Sequence, residues 1–489
     1  MELTELLNSV KAIQVTGEVQ RKDVSGIYYD SRRVVKNAVF AAIRGYKTDG
    51  HRFILDAINK GAIAIILEDN ECVPDEIFHH DKIAKILVKD SRKALAEISN
   101  AFFKEPSKKL KLVGITGTNG KTTTSYFIKN IFETAGNKVG LVGTIANYIS
   151  QREIKTSLTT PESSDLNELF YKMVNEGCSH AVMEVSSHSL VLNRVYSLNF
   201  SAGVFTNITS DHLDFHLNFE NYFNAKKILF DSLSGSGFAI YNIDDKSGAA
   251  IVKNSQAKLF SYGTSPKADF ILTDITFDLT GTNFSIIFAG EKFEISTSLV
   301  GEFNAYNACA AFAAAVLLGV NKGTAIDGIK TTKQVPGRFE VVGKENKKVV
   351  IDYSHTADSL EKALLAIRKI VKETHPVYTV FGCGGNRDKT KRPVMGKIAS
   401  ELSKRAIITS DNPRFEDPFE IIEEIKSGIE KDNYEIIENR EEAIRNAIKN
   451  SEDDAVILIA GKGHENYQEI NGVRNHFSDK EVAEKYLIK

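Results

Sequence analysis

The sequence predicts a three-domain α/β protein: a small N-terminal α/β domain over residues 1–108, a central P-loop domain with a parallel sheet over 109–335, and a C-terminal Rossmann-like domain over 336–489. Three observations carry this expectation. The chain has 489 residues, too many for one hydrophobic core. Short apolar runs alternate with helical patterns along most of it, as parallel sheets covered by helices require. One glycine-rich loop, residues 114–124, stands between an apolar run and a helical pattern, which is the setting of a phosphate loop.

Composition narrows the class. With 62 basic and 64 acidic residues the formal charge is −2, so no global field draws nucleic acid or an anionic membrane. Hydrophobic residues at 42% and aromatics at 9% are the balance of a folded globular chain. Cys72, Cys178, Cys309 and Cys383 lie far apart with no CxxC pair and read as buried thiols of a reducing compartment. The start lacks the basic and apolar segments of a secretory signal, and the longest apolar run, 308–320, is too short to span a bilayer. The expectation is a cytoplasmic monomer without nucleic-acid or membrane partners.

Within residues 1–108, the runs 38–43 and 62–66 are strand candidates. The polar signal there is Asp30-Ser31-Arg32-Arg33, then Gly45 and Asp49-Gly50-His51; a basic turn after a strand reads by itself as solvated surface. The charged stretch 104–109 reads as a linker.

The central domain opens with the loop itself. Its glycines let backbone N–H groups approach phosphate oxygens, the following helix start favours negative charge, Lys121 supplies a point charge, and Thr122 offers a hydroxyl to a phosphate-bound Mg²⁺. Five residues separate Gly114 from Gly120, one more than the general P-loop has. Strand candidates follow at 181–185, 202–206 and 238–242, and ligands of parallel sheets collect at such strand ends. The ends here carry Glu184 with Ser186-Ser187-His188, then Thr206-Asn207, then Asp211-His212-Leu213-Asp214. Glu184 is the natural partner for a nucleotide's metal; His212 is either a further ligand or a structural histidine beside a carboxylate. Residues 268–300 alternate like an antiparallel sheet, and 301–320 read as a buried helix.

After residues 334–338, strand candidates at 349–351, 378–381, 406–408, 435–437 and 456–459 predict a second doubly wound sheet. Four of their ends carry polar loops, at 352–355, 382–388, 410–414 and 461–465. Arg387, Lys389, Lys391, Arg392 and Arg414 are expected to converge there as carboxylate-binding cations, with Glu465 balancing an amine. A P-loop facing such a pocket suggests ATP-driven acylation of an amine.

These motifs together resemble the Mur ligases of peptidoglycan synthesis, and among them the group that adds the third amino acid. The resemblance runs through essentially the whole chain: Gly-Thr-Asn-Gly-Lys-Thr at 117–122, Glu184 to His188, Asp211 to Asp214, Asn304 and Asn307, Gly337-Arg338, Asp352-Tyr353, Gly382 to Gly385 and Gly461 to Glu465 fall in family order. That family tolerates the extra loop residue. It implies that Gly117, Thr118, Asn119, Gly120, Lys121, Thr122 and Thr123 bind ATP, with Asn304, Asn307, Arg338 and Asp352 contacting the nucleotide. Thr122, Glu184 and His212 would serve Mg²⁺. Lys226, which the sequence alone reads as surface charge, matches a lysine carried as a carbamate (N6-carboxylysine) that helps place a second Mg²⁺. Catalytic roles fall to Lys121, Glu184, His212 and Lys226.

The nucleotide-sugar partner implied is UDP-MurNAc-L-Ala-D-Glu, with Ser31 and Arg32 at its uridine-diphosphate end and Thr159, Thr160, Ser186 and Arg194 around sugar and peptide. Arg387, Asp411, Asn412, Pro413, Arg414, Gly461 and Glu465 match the pocket for a diamino acid, and the Asp-Asn-Pro-Arg run resembles the meso-diaminopimelate type, Arg414 gripping the distal carboxylate. Leu192, Ser354, Ala357 and Asn386 depart from the common pattern, and meso-lanthionine or L-lysine are alternatives for the amine. A folate polyglutamating ligase and a non-catalytic nucleotide switch are the rivals; Asp-Asn-Pro-Arg and Ser31-Arg32 count against the first.

Overall fold

A computed structural model describes residues 1–45, 48–156, 158–343, 347–371 and 375–487. They form three main sheets and one small hairpin. The N-terminal sheet has five strands in the spatial order Ala12–Thr16, Ala84–Val88, Ala62–Leu67, Ala38–Ala41, Gly26–Tyr28, all pairs parallel except the first. The stretch expected as a linker is instead packed: Pro106–Lys109 is a 3-10 helix with Pro106 and Ser107 buried, and Ser107 Oγ accepts from Asn199 N at 3.1 Å.

The central sheet has eleven strands. Lys111–Thr116 lies inside it, between His180–Glu184 and Ala202–Phe205, all parallel. Both of its faces are covered. Leu112 enters one hydrophobic cluster while Val113 and Ile115 enter the other, which is why the strand reads as a continuous apolar run rather than an alternating one. The antiparallel strands Phe270–Asp278, Gly281–Phe288 and Glu291–Thr297 continue the same sheet through a parallel pairing of Tyr262 with Phe270. The apolar run near 310 is helix Glu302–Leu317, whose residues Ala308 to Ala315 are all fully buried. Its neighbour, helix Lys322–Thr331, crosses the helix after the phosphate loop closely: a Cβ on Gly328 would lie 2.6 Å from Ile131 Cα.

The C-terminal sheet runs Glu340–Val342, Lys348–Asp352, Val456–Ala460, Val377–Phe381, Arg405–Ile408, Tyr434–Ile436, parallel apart from the first pair. Val377 and Phe381 pack on one face, Tyr378 and Val380 on the other. A hairpin not anticipated from the sequence, Tyr467–Ile470 with Val473–His476, follows the last strand and closes over the 411–414 loop through a bridge from Arg414 to Ile470. No helix among the described residues is long and apolar enough to cross a membrane.

Candidate active site

The phosphate loop leaves strand Lys111–Thr116 and enters helix Lys121–Thr134. Gly117 has φ +152° and Gly120 φ +87°, and Cβ atoms there would lie 1.9 Å from Thr206 Oγ1 and 2.4 Å from Asn307 Oδ1. Glycine is therefore required by both backbone shape and space. The strand end Thr206-Asn207 braces the loop: Thr206 Oγ1 donates to Asn119 O at 2.7 Å, Asn119 N to Asn207 Oδ1 at 3.0 Å, and Thr118 N to Asn207 O at 2.8 Å.

Two lysines meet at this loop. Lys121 Nζ donates to Gly117 O at 2.9 Å and Thr118 O at 2.8 Å, and Lys226 Nζ donates to the same Gly117 O at 2.8 Å. Lys226 is 2% exposed, on helix Phe219–Asp231, with its ammonium 4.5 Å from the Tyr222 ring centroid. The surface charge read from the sequence is thus a buried amine, because this helix packs directly beneath the loop. Burial, and next the nearby Lys121 charge, push the Lys226 ammonium well below the ordinary lysine range, with Asp211 opposing. Burial also lowers Lys121, against the pull of Glu184 and Asp211.

Glu184 is 1% exposed and accepts three hydrogen bonds. Thr122 Oγ1 and Thr144 Oγ1 each donate to Oε2 at 3.0 Å, and Thr144 N donates to Oε1 at 2.9 Å. This carboxylate and hydroxyl set fits a hard cation. Among the described residues no group of three or more His, Cys, Asp or Glu forms a metal centre, so Mg²⁺ here would draw further ligands from phosphate oxygens, its usual habit. His212 sits at φ +53° with Nε2 3.5 Å from Asp211 Oδ2 and its ring 4.9 Å from that of His188; burial keeps its imidazole below the ordinary range.

Residues from distant segments close on the loop. Arg338 Nη2 donates to Thr122 Oγ1 at 3.3 Å, its guanidinium 4.5 Å from the Tyr353 ring centroid. Asn307 accepts from Thr124 Oγ1 at 3.3 Å and donates to Asn304 Oδ1 at 3.1 Å. Asp352 accepts from Phe339 N at 2.7 Å and from Ser354 Oγ; burial raises its carboxyl, opposed by Ser354 and Arg338. Ser354, a departure from the family pattern, therefore has a partner in this site. Asp358 Oδ2, not anticipated, accepts from Asn119 Nδ2 and Thr209 Oγ1, both at 3.2 Å.

The residues expected around the nucleotide-sugar lie on both sides of the junction between the N-terminal and central sheets. Ser31 is buried, with its carbonyl accepting from Lys60 Nζ at 3.0 Å. Arg32 is exposed and forks onto Asp30 at 2.9 and 2.7 Å. Thr160 Oγ1 donates to the backbone carbonyl of Glu184 at 2.8 Å, which ties it to the end of that strand, and Thr159 Oγ1 lies 3.1 Å from Thr144 Oγ1. Ser186 Oγ caps helix Ser187–Val191, and Arg194 donates to Thr160 O at 3.0 Å and to Glu162 Oε1 at 2.8 Å.

In the C-terminal sheet, loops 382–388, 410–414 and 461–465 do meet. Gly385 N donates to Asn412 O at 2.9 Å, Arg414 Nη1 to Gly385 O at 2.7 Å, Asn412 Nδ2 to Glu465 Oε2 at 2.8 Å, and Gly461 lies against the Asp411 carboxylate. Pro413 O accepts from Glu416 N at 3.0 Å, and Arg387 is exposed at the rim. Asn386 Oδ1 accepts from Phe415 N at 3.2 Å, so this departure too is part of the loop's own bonding. Three expected cations do not serve the pocket. Arg392 is fully buried and bound to Glu416 and Glu424 at 3.0 and 2.7 Å, Lys389 pairs with the same two carboxylates, and Lys391 donates to His355 O. All three lie in, or just before, the first turn of helix Lys391–Leu402, where these partners already hold them. Lys462, also unanticipated, is fully buried and donates to Asn412 Oδ1 and Glu465 Oε2, both at 3.2 Å. Thr144 and Lys462 sit beside glycines at strand ends, a signal that was available but unspecific; Asp358 carried none.

Comparison with known proteins matches three family profiles along the chain: a Mur ligase family catalytic domain over residues 23–103, a Mur ligase middle domain over 115–315, and a Mur ligase glutamate ligase domain over 337–463. UDP-N-acetylmuramoyl-L-alanyl-D-glutamate--2,6-diaminopimelate ligase 1 of Clostridium acetobutylicum is 45% identical over 490 residues, spanning 100% of this chain and 99% of that protein. The ligase of the same name from Clostridium tetani is 44% identical over 490 residues with the same coverage. A solved structure of a UDP-N-acetylmuramoyl-L-alanyl-D-glutamate--2,6-diaminopimelate ligase superposes with a TM-score of 0.72 at 31% identity, over 100% of this chain and 99% of that one.

Proposed function

This chain belongs to the Mur ligase family, and we infer from that premise that it is an ATP-dependent ligase joining 2,6-diaminopimelate to UDP-N-acetylmuramoyl-L-alanyl-D-glutamate in peptidoglycan precursor synthesis. The observation that carries this is likeness along the whole chain to ligases of that name. Its four cysteines are free thiols, in keeping with a reducing cytoplasm.

The proposed reaction has two steps. The γ-carboxylate of the D-glutamyl residue attacks the γ-phosphorus of ATP, releasing ADP and leaving an acyl phosphate. The free amine of diaminopimelate then attacks the acyl carbon; phosphate leaves, the amine gives up a proton, and the amide forms. The chain's part is positioning and charge neutralisation. Lys121 and the loop N–H groups hold the phosphates, Arg338 and Asp352 meet the nucleotide from the C-terminal side, and Asn304 and Asn307 brace the loop. Thr122, Glu184 and His212 would hold Mg²⁺, which supplies charge neutralisation for the phosphates when bound. Arg194, Thr159, Thr160 and Ser186 orient the acidic substrate, Ser31 and Arg32 its uridine-diphosphate end. Arg387, Asp411, Asn412, Arg414 and Glu465 select the diamino acid, Arg414 binding the distal carboxylate.

Lys226 acts as a carbamate. A carbamate forms when a neutral amine attacks CO₂, losing a proton and gaining a carboxylate. The buried environment that disfavours the Lys226 ammonium favours the neutral amine this step needs.

An ADP-release assay with UDP-MurNAc-L-Ala-D-Glu and each of diaminopimelate, lanthionine and lysine tests the reading. Turnover is expected with diaminopimelate; preferential turnover with lanthionine or lysine would reassign the amine, and ADP release independent of any amine would refute ligation. Positional isotope exchange in ATP without the amine tests the intermediate, which falls if turnover proceeds while no exchange occurs and no acyl phosphate can be trapped.

A further inference from the structure

Residues on either side of Ser31 and Arg32 are tied to one carboxylate that lies outside the N-terminal sheet. Tyr29 donates its hydroxyl to Asp165 Oδ2 at 2.7 Å, and Arg33 donates Nη1 to Asp165 Oδ1 at 2.6 Å. Asp165 is the acidic residue in the first turn of helix Ser163–Asn175, the helix that begins just after Thr159 and Thr160, and negative charge is favourable there. The residue before that helix, Glu162, accepts from Arg194 Nε at 2.8 Å and also from Arg92 Nη1 at 3.3 Å, and Arg92 belongs to helix Ser91–Phe102 beside the N-terminal sheet. A third bridge runs the same way, from Asn193 Nδ2 to Asp90 Oδ2 at 3.3 Å. One helix start thus carries both the loop expected at the uridine diphosphate and the arginine expected around the sugar and peptide.

We propose that Asp165 is a positioning residue that registers the Ser31–Arg33 turn on the Thr160–Arg194 site, so that a single nucleotide-sugar ligand is held at both ends. The inference rests on the substrate reading above. A ligand that engages two subsites binds the second one intramolecularly, and that gain depends on the spacing between them. Asp165 and Arg33 are 28% and 47% exposed, and an ion pair so open to solvent adds little to folding. Its value lies in geometry: two charge-assisted or hydroxyl bonds to one carboxylate fix the turn in direction as well as distance.

The test compares the full-length wild type with Asp165→Asn and with Arg33→Gln, which removes the partner instead. Calorimetry measures UDP alone and UDP-MurNAc-L-Ala-D-Glu; ADP release gives KM for each substrate. The expected result is a KM and Kd for the whole nucleotide-sugar raised at least tenfold in both variants. The affinity for UDP alone, the KM for ATP and diaminopimelate, kcat and the melting temperature should stay near wild type. Equal weakening of UDP alone would mean that Asp165 merely shapes the turn, and would overturn the proposal. So would unchanged affinity for the whole ligand while wild type turns it over. If wild type itself neither binds nor turns over this nucleotide-sugar, the substrate reading fails and the proposal fails with it.

Discussion

The buried pair Arg440–Asp479 makes a quantitative prediction about the amino-acid pocket. Both side chains are 0% exposed, and the contact is a two-pronged fork, Nε to Oδ1 at 2.7 Å and Nη2 to Oδ2 at 2.8 Å. Arg440 also donates to Ala460 O at 3.0 Å and Ser410 O at 3.5 Å, the carbonyls immediately before Gly461 and Asp411. Asp479→Ala leaves a guanidinium buried without its counter-charge, which costs about 3–5 kcal/mol, a large part of the roughly 5–15 kcal/mol that holds a domain together. Urea unfolding followed by circular dichroism measures this, since the chain has no tryptophan to report by fluorescence. The double variant Arg440→Met/Asp479→Leu removes both charges and should recover part of the loss, although leucine is larger than aspartate and two carbonyls lose the Arg440 donor at about 1–3 kcal/mol each. Diaminopimelate KM should rise in both variants with ATP KM unchanged. If the double variant loses as much as the sum of Arg440→Met and Asp479→Leu alone, the pair is not coupled and the reasoning is refuted.

Lys226→Ala should cut kcat at least tenfold, and wild-type activity should fall in bicarbonate-free buffer and return on adding bicarbonate; full wild-type turnover without bicarbonate would exclude the carbamate. Arg414→Ala should raise KM for diaminopimelate by at least tenfold while leaving that for ATP within twofold, and an unaltered preference for diaminopimelate over lysine would count against its proposed contact. Burial, with Lys111 adding to it, lowers the His180 imidazole from 6.5 to about 4. Above pH 6.5 folded and unfolded chains are both neutral at this site. As pH falls from 6.5 to about 4 the unfolded chain takes up a proton that the folded chain refuses, so stability is progressively lost across that window. His180→Phe should flatten the stability slope there by up to about 1.4 kcal/mol per pH unit; an unchanged slope would show that other histidines dominate.

The strands were legible because most are covered on both faces. Val377–Phe381 and Val456–Ala460 bury every residue, so each reads as an unbroken apolar run with a polar loop at its end. The period-two alternation of 270–297 was equally plain, but its continuation of the central sheet was not, because that depends on one short parallel pairing at Tyr262 and Gly263. Side chains were less legible than backbone. A lysine on an amphipathic helix carries no mark of burial, and Lys226 is buried only because Gly117 offers its carbonyl to the ammonium from across the fold. Arg392 shows the opposite error: a cation next to a glycine loop looked available, yet Glu416 and Glu424 claim it from behind. Sequence patterns locate strand ends well, but which neighbours a charge finds there depends on contacts between distant segments.

The hydroxyl of Thr122 shows how such contacts join the two halves of the proposed reaction. A threonine hydroxyl has one proton to donate and two lone pairs. Here the proton goes to Glu184 Oε2 at 3.0 Å and one lone pair accepts from Arg338 Nη2 at 3.3 Å, which leaves one lone pair for a cation. Glu184 ends the strand paired with the phosphate-loop strand, and Arg338 precedes the first strand of the C-terminal sheet. A nucleotide phosphate and its Mg²⁺ at Thr122 would therefore meet a carboxylate from one side and a guanidinium from the other. Binding at that point exchanges protein contacts for phosphate contacts, so the measured nucleotide affinity is a difference between the two. Because Arg338 is one of the partners exchanged, the placement of the C-terminal sheet enters that difference, and with it the placement of Arg414 and the amine. On this geometry the threonine proposed to meet the phosphate-bound cation would also couple the loop to the pocket proposed to choose the amino acid.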